Sequence, residues 1–197
     1  MPLLSNWLTH ARLSRVSPHL RGVVLDIGCG HGELLDFLPP QVERVILVDR
    51  SPARRQKIDL RRLAARVPAE FVLLDVDQST VDLRFDKVDT LVMAAILEHL
   101  KHPVAVLRQL KKTLKPNGRL IVTTPSPLGG KLHWVGSHLR LTYPEAAEEH
   151  EQFYGPEALD SLFDRCGYEI EHRESFIMGL NQLVVARPAQ KEEVRNA

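Results

Sequence analysis

The 197-residue chain has little cysteine, few aromatic side chains and almost no net charge. Its two cysteines, Cys29 and Cys166, lie far apart and form no C-x-x-C pair, which argues against a disulfide framework or a metal site. A formal net charge of +1 provides no global field for nucleic acid, so we expect no such partner. No apolar run could span a bilayer, and Asn6, His10 and Arg12 interrupt the apolar N-terminus that a signal peptide would need. These absences predict a cytoplasmic globular protein.

The most informative stretch is a short apolar run that leads into glycines at alternate positions, Gly28, Gly30 and Gly32. Glycine lets the backbone turn sharply and leaves no Cβ in the way of a ligand. Asp26 lies inside the apolar run, where a carboxylate is costly unless it meets a ligand or the amides of the loop. The third glycine comes one residue earlier than in a dinucleotide fingerprint, and the loop has no lysine of the phosphate-binding type. The pattern therefore predicts a cradle for a different ligand.

A second apolar run ends in Asp49, about 20 residues after the glycine turn. At this position α/β nucleotide-binding folds place an acid on ribose hydroxyls, and one carboxylate can accept hydrogen bonds from two vicinal hydroxyls. Asp49 could instead cap the helix expected near Pro52, although Ser51 is better placed for that. Its position favours ribose binding.

These two runs and five further motifs resemble the class I S-adenosylmethionine-dependent methyltransferases, in particular those that act on small molecules. The further motifs follow in order along the chain at residues 71–76, 85–100, 107–125, 151–157 and 166–168. The likeness covers roughly residues 12–187. It implies a doubly wound, mostly parallel seven-stranded Rossmann-like sheet of the α/β class, with a C-terminal antiparallel hairpin and helices on both faces.

The alternation of strand and helix patterns independently predicts a parallel sheet with helices on both faces. Strands are expected at residues 23–27, 45–49, 71–75, 88–93 and 119–124, with an edge hairpin formed by 168–178 and 182–187. Helices are expected at residues 4–20, 32–38, 52–66, 97–100 with 103–114, and 156–166. We expect one methyltransferase domain over residues 1–188 and a frayed polar tail over 189–197.

The resemblance implies that the cofactor is S-adenosyl-L-methionine, which is converted to S-adenosyl-L-homocysteine. The expected cofactor-binding residues are Asp26, Gly28, Cys29, Gly30, Gly32, Asp49, Arg50, Asp75, Val76 and Ala94. Asp75 is expected near the adenine amine, with Asp77 as a competing neighbour. Cys29 is expected to pack inside the turn, because no paired base marks it as a nucleophile.

His99 and His150 are the candidate catalytic bases, which would be needed if the acceptor is a hydroxyl whose proton must leave. His99 could instead orient the first turn of the helix that follows it. The fourth strand leads into M-A-A-I in place of the Asn/Asp-Pro-Pro-aromatic motif of the relatives that methylate nucleic-acid bases. This difference also argues against a nucleic-acid acceptor.

The segment 126–155 is too long for an ordinary connection, so we expect it to be an insertion on the acceptor side, or a lid. Trp134, Tyr143 and Tyr154 are its candidate substrate-binding residues. The alternative is two short helices packed permanently on the sheet edge. Acidic residues 145–151 lack metal-ligand spacing, so no metal is expected.

The helix expected over 52–66 is strongly basic. We expect its inner stripe to be Leu60, Leu63, Ala64 and Val67, with Arg55, Arg62 and Arg66 on the outer face. Such a face is either simply solvated or binds an anionic partner or membrane surface.

The leading functional hypothesis is transfer of a methyl group to an oxygen, nitrogen or carbon atom of a small-molecule, lipid or sugar acceptor. One alternative is a catalytically inactive partner subunit that still binds the cofactor. Another is an NAD-dependent oxidoreductase, which the early third glycine and the lack of a Tyr-x-x-x-Lys pair disfavour. The sequence determines neither the acceptor nor the oligomeric state.

Overall fold

A seven-stranded sheet forms the centre of the protein in the computed structural model, which describes residues 3–78, 85–129 and 152–190. The strands are β1 Gly22–Ile27, β2 Val42–Asp49, β3 Ala69–Leu73, β4 Val88–Ala94, β5 Leu114–Pro125, β6 Tyr168–Phe176 and β7 Asn181–Pro188. Their order across the sheet is β3-β2-β1-β4-β5-β7-β6. Strands β1 to β5 pair in parallel, whereas β7 is antiparallel to both β5 and β6. The predicted sheet and its C-terminal hairpin are confirmed.

Helices cover both faces of this sheet, as predicted. The α-helices of the described ranges are α1 Leu3–Val16, α2 Arg55–Ala64, α3 Pro103–Lys111 and α4 Pro156–Cys166, with 3-10 turns at Ser17–His19, Glu33–Phe37, Pro52–Arg54 and Leu97–His99. Leu13 of α1 and Ile58 of α2 join one core cluster, and Leu107 of α3 and Phe163 of α4 join the other. The inner parallel strands β1, β2 and β4 are largely buried on both faces, which explains their nearly continuous apolar runs, whereas the edge strand β3 is partly exposed.

The crevice for a ligand follows from the strand order. After β1 the chain moves outward through β2 and β3 and then crosses back to β4, which pairs with the other side of β1. Open α/β sheets bind ligands at such a switch point, outside the carboxyl ends of the strands. The glycine loop after β1 and the chain leaving β4 therefore meet at this edge.

Two predicted elements differ from the structure. The glycine loop is followed by the five-residue 3-10 turn Glu33–Phe37, not by an α-helix. In α2, Ile58 is buried, but Leu60 and Leu63 are 64% and 86% exposed, so the predicted inner stripe is wrong for them. Arg61 pairs with Asp36, and Arg62 donates to a backbone carbonyl of β3.

Ile58, and not the two leucines, takes the core position of α2, and Arg61 and Arg62 contact neighbouring elements in this orientation of the helix. Ala64 is also exposed, whereas Val67 packs against the core as expected. The domain limit at residue 188 stays a prediction. Among the helices of the described ranges, none is long and apolar enough to cross a membrane.

Candidate active site

A cleft of about 200 Å³ opens at the carboxyl ends of β1 and β4. It is lined by Thr9, Arg12, Leu13, Asp26, Gly28, Cys29, Gly30, His31, Glu33, Leu34, Arg54 and Ala94. Five of the predicted cofactor-binding residues thus lie together: one carboxylate, three loop residues and the last residue of β4. The volume is smaller than the ~300–1,000 Å³ of a pocket for a whole drug-sized ligand.

The glycine loop is fastened to β2 and stays open toward the cleft. The backbone N–H groups of Gly28 and Cys29 donate to the Val48 carbonyl at 2.8 and 3.0 Å. Gly28 has φ +71°, and a Cβ there would lie 2.8 Å from the Ile96 side chain. Gly30 has φ +61°, and the nearest atom to an added Cβ is a Glu33 carboxylate oxygen at 3.3 Å. Gly28 is therefore required by packing, whereas Gly30 leaves room at the cleft wall.

Asp26 is a buried carboxyl group whose environment favours the protonated, neutral form. Burial, and then repulsion from Glu33 and Asp49, raise its pKa to about 8. A cation that enters the cleft would stabilise the ionised form of Asp26. The same burial and the nearby acids Asp26 and Asp49 raise the pKa of Cys29, so its thiol stays protonated and unreactive.

Asp49 links the glycine loop to the turn after β2. Its carboxylate accepts hydrogen bonds from the Gly30 N–H at 3.1 Å and the Ser51 N–H at 2.8 Å, and it pairs with Arg54 at 2.8 Å. Ser51 occupies the N-cap of the turn Pro52–Arg54, but its side chain makes no capping hydrogen bond. The expectation that the Ser51 side chain caps this turn is wrong: the Arg54 N–H donates to the Ser51 backbone carbonyl, and the Ser51 N–H donates to Asp49. Ribose binding by Asp49 stays a prediction.

The exit of β3 separates the two competing acids Asp75 and Asp77. The Asp77 carboxylate accepts hydrogen bonds from the N–H groups of Lys101 and His102 at 2.7 and 2.9 Å, just before α3 begins. Asp77 is thus engaged as a helix cap. Among the described contacts, the Asp75 carboxylate accepts only a local hydrogen bond from the Asp77 N–H. The next residue, Val76, is buried.

The loop after β3 also lies beside Asp49, since the Leu74 N–H donates to the Asp49 carbonyl at 3.0 Å. This contact brings the predicted adenine and ribose residues to one edge. Arg50, which follows Asp49, is exposed and does not line the cleft, and neither does Gly32.

Five cleft residues with polar or charged side chains escaped the sequence prediction: Thr9, Arg12, His31, Glu33 and Arg54. Arg12 lies on α1, and its Nε donates to the Asn181 side chain at 3.2 Å. Burial lowers the pKa of Arg12, against an opposing attraction from Glu98. The signal for it was present, because Arg12 follows Leu8 by four residues and so shares the inward face of the helix.

His99 lies at the exit of β4 beside a buried acid. It ends the turn Leu97–His99, and its N–H donates to the Ile96 carbonyl at 3.0 Å. Glu98 accepts a hydrogen bond from the Thr124 hydroxyl at 3.1 Å. Burial raises the pKa of Glu98, while attraction to His99 opposes that rise.

Tyr154 is a core residue in this structure. Its hydroxyl donates to the Gln152 side chain at 2.8 Å, and its carbonyl accepts from Gln182 at 2.8 Å. Burial, and then repulsion from Glu98, raise its pKa. It does not line the cleft. The other candidates of the acceptor segment, Trp134, Tyr143 and His150, lie outside the described residues, as does most of the predicted lid.

Within the three described ranges, no group of three or more His, Cys, Asp or Glu side chains could hold a metal ion. The cleft instead combines a glycine loop, the buried carboxylate of Asp26, the half-buried Glu33 and two half-buried arginines at the switch point of a mostly parallel sheet. The family model of a methyltransferase domain matches residues 8–173, and the chain belongs to this family, the class I S-adenosylmethionine-dependent methyltransferases.

Curated relatives support the same class. A ubiquinone biosynthesis O-methyltransferase from Xanthomonas euvesicatoria is 28% identical over 173 residues, which cover 83% of this chain and 71% of that protein. A tRNA U34 carboxymethyltransferase from Saccharophagus degradans is 30% identical over 125 residues, or 61% of this chain and 38% of that protein.

Solved structures show the same fold at low identity. A mitomycin 7-O-methyltransferase superposes with a TM-score of 0.71 at 19% identity over 92% of this chain. This chain covers 54% of the length of that protein. The N-methyltransferase NodS from Bradyrhizobium japonicum has a TM-score of 0.64 at 16% identity, with 94% of this chain and 97% of NodS covered.

Proposed function

We propose that this enzyme transfers a methyl group from S-adenosyl-L-methionine to a hydroxyl oxygen of a small-molecule acceptor. The observation that carries the proposal is the glycine-lined cleft with the buried carboxylate of Asp26 inside it. Family membership favours a methyl donor over NAD. The choice of oxygen is supported by O-methyltransferases among both the curated relatives and the structural neighbours.

The cleft fits the amino-acid end of S-adenosyl-L-methionine. Asp26 and Glu33 offer two carboxylates to its ammonium group, and the guanidinium of Arg12 offers a partner for its carboxylate. Gly30 leaves space for close approach of the backbone. Asp49 is proposed to hold the ribose hydroxyls, with Asp75 and Val76 beside the adenine.

The sulfonium of the bound cofactor supplies a methyl group that is already electrophilic. The protein must therefore align the acceptor and exclude water, more than activate the donor. A hydroxyl acceptor must also lose a proton, and we propose His99 as the base that receives it. Glu98 is buried next to His99 in the turn Leu97–His99 at the exit of β4.

Calorimetric titration with S-adenosyl-L-methionine, S-adenosyl-L-homocysteine and NAD tests the cofactor. We expect saturable binding of the first two and none of NAD. Gly30→Val should abolish binding, because a branched side chain would enter the cleft at a positive φ. Gly155→Val is the matched control, since Gly155 has φ −73° and its added Cβ would only touch Pro127 at 3.8 Å. NAD binding alone, or normal binding by Gly30→Val, would refute the assignment.

The acceptor is found by mass spectrometry of a cell extract incubated with the enzyme and cofactor. We expect a small-molecule product heavier by one methyl group, formed only with active enzyme. Cofactor binding without any product would favour the alternative of a catalytically inactive partner subunit. A methylated tRNA would instead extend the likeness to the tRNA-modifying relative.

A further inference from the structure

Helix α2 exposes most of its apolar side chains. Ile58 is its buried residue, while Leu60 and Leu63 are 64% and 86% exposed and Ala64 is exposed as well. At 3.6 residues per turn, these three exposed residues occupy an arc of roughly 100° on the side opposite Ile58. Exposed leucines on the outward side of a helix are costly in water and call for a partner.

The surroundings of this apolar arc are strongly basic. Residues 52–67 contain six Arg or Lys side chains and one acid, an excess of five positive charges in a chain whose formal net charge is +1. Arg54 and Arg61 are held inward by Asp49 and Asp36. Lys57 and Arg66 are exposed and form no ion pair with any described residue.

The exposed cations flank the apolar arc. On the helical wheel, Lys57 lies next to Ala64 on one side of the arc. On the other side Arg55 lies beyond Leu63, with its ion-pair partner Asp59 between them, and the exposed Gln56 lies within the arc. Arg66 follows the C-terminal end of the helix. We call the surface formed by Leu60, Leu63, Ala64, Arg55, Lys57 and Arg66 the α2 face.

We propose that the α2 face attaches the protein reversibly to an anionic lipid bilayer. Apolar side chains between cations are the pattern of a helix that lies in a membrane interface, where the leucines enter the acyl boundary and the cations contact head groups. A nucleic acid would use the cations but not the leucines. A stable protein interface needs about 1,000 Å² or more, which exceeds what two leucines and an alanine provide.

The position of α2 gives this attachment a use. Arg54 lines the cleft and immediately precedes α2, so a docked helix places the rim of the cleft near the bilayer surface. An apolar acceptor dissolved in the bilayer would then have a short path to the site. This last step rests on the proposed function, whereas the lipid attachment itself does not.

Vesicle co-sedimentation tests the attachment. The wild-type chain should bind vesicles of equal parts phosphatidylcholine and phosphatidylglycerol, bind vesicles of phosphatidylcholine alone far more weakly, and dissociate as salt is raised. The double variant Leu60→Ser, Leu63→Ser should lose about tenfold or more in partitioning. The variant Lys57→Gln, Arg66→Gln should lose the preference for anionic vesicles.

Met178→Ser is the matched control, because Met178 is 93% exposed in the turn between β6 and β7, on the opposite edge of the sheet. It should bind vesicles like the wild type. Circular dichroism and calorimetric binding of S-adenosyl-L-methionine should be unchanged in all three variants. Cofactor binding and vesicle binding are thus separate readouts, and failure of one leaves the other to be judged alone.

Three results would overturn the proposal. The first is no binding of the wild type to anionic vesicles, and the second is undiminished binding by the double leucine variant. The third is a dimer in sedimentation velocity that only the double leucine variant loses, which would show that a second copy of the chain covers the α2 face.

Discussion

Burying a carboxylate such as that of Asp26 costs free energy, and for this reason a buried carboxylate can indicate a ligand site. Burial, together with repulsion from two nearby acids, raises the pKa of this carboxyl group to about 8. This arrangement adds nothing to the stability of the fold. Such a group is retained for what it binds. The ammonium of the proposed cofactor supplies the missing positive charge.

The raised pKa of Asp26 predicts proton release on binding. Near pH 7 the ligand-free carboxyl is mostly protonated, and a bound cation favours the ionised form, so binding should expel a proton. Affinity for S-adenosyl-L-methionine should therefore rise from about pH 6 to about pH 8 and then level off. Calorimetry in two buffers of different ionisation enthalpy measures the proton directly.

Asp26→Asn is the control for this proton release. It keeps the side-chain size and should remove the dependence on buffer. Because the folded pKa lies above the ordinary 3.8, the folded state holds a proton that the unfolded chain has lost. The contribution of Asp26 to unfolding free energy should fall as pH rises from about 4 to about 8. Identical heats in both buffers for the wild type would contradict the assignment.

Asp49 serves two purposes that one substitution can separate. Asp49→Asn removes the charge that holds Arg54 and weakens the acceptor for Gly30 and Ser51, so unfolding free energy should drop by about 1–3 kcal/mol. Loss of the ribose contact should weaken cofactor binding by about tenfold or more. Urea denaturation and calorimetric titration measure the two effects.

Arg54→Gln is the paired variant for Asp49. It leaves the carboxylate in place and removes its competing cation, so cofactor affinity should be kept or increased. If Asp49→Asn bound the cofactor as tightly as the wild type, Asp49 would be only the cap of the following turn.

At the scale of elements, the loop after β3 assigns different tasks to two acids of the same type. Asp77→Ala removes the carboxylate that accepts the N–H groups before α3, so it should cost about 1 kcal/mol of stability and leave cofactor affinity unchanged. Asp75→Ala should weaken cofactor binding and leave the stability unchanged. Thermal unfolding and calorimetric titration of both variants decide the matter, and a loss of affinity in Asp77→Ala alone would reverse the assignment.

Helix α2 is the element whose orientation the sequence pattern described incorrectly. Its leucines at 60 and 63 have helical spacing, which favours an inward stripe. In the structure Ile58 faces the core, and Arg61 and Arg62 contact neighbouring elements. Helical spacing predicts that residues share a face, but it does not determine which way the face points.

At the scale of the whole molecule, cofactor binding should stabilise the fold, because the cleft joins α1, the β1 loop and the turn after β2. Ligand at a hundred times its Kd adds about 2.7 kcal/mol. For a chain of this size that corresponds to a rise in Tm of about 5–10 °C. Scanning calorimetry should show the rise with S-adenosyl-L-methionine and none with NAD, and Gly30→Val should abolish it. A rise with NAD of similar size would contradict the specificity.

The fold class and the position of the glycine loop at the ligand edge could be predicted from the amino-acid sequence alone. Apolar runs such as 45–49, ending in an acid, reveal buried parallel strands, and the alternate glycines after Ile27 identify the loop at the ligand edge. These signals are local, since strand burial and turn geometry depend on neighbouring residues. The structure brings Asp26, Gly28, Cys29, Gly30 and Ala94 together on one cleft, and their role in cofactor binding stays a prediction.

The side chains from distant parts of the sequence that complete the cleft could be identified only in the tertiary structure. Arg12 of α1 lines the cleft, and Arg54 pairs with Asp49 at its rim. The Asp77 carboxylate instead accepts a hydrogen bond from the chain just before α3. Each outcome depends on groups far apart in sequence competing for the same hydrogen bonds and the same space. Local sequence patterns do not predict which of these groups forms each contact, because the contacts form only when the helices pack on the sheet.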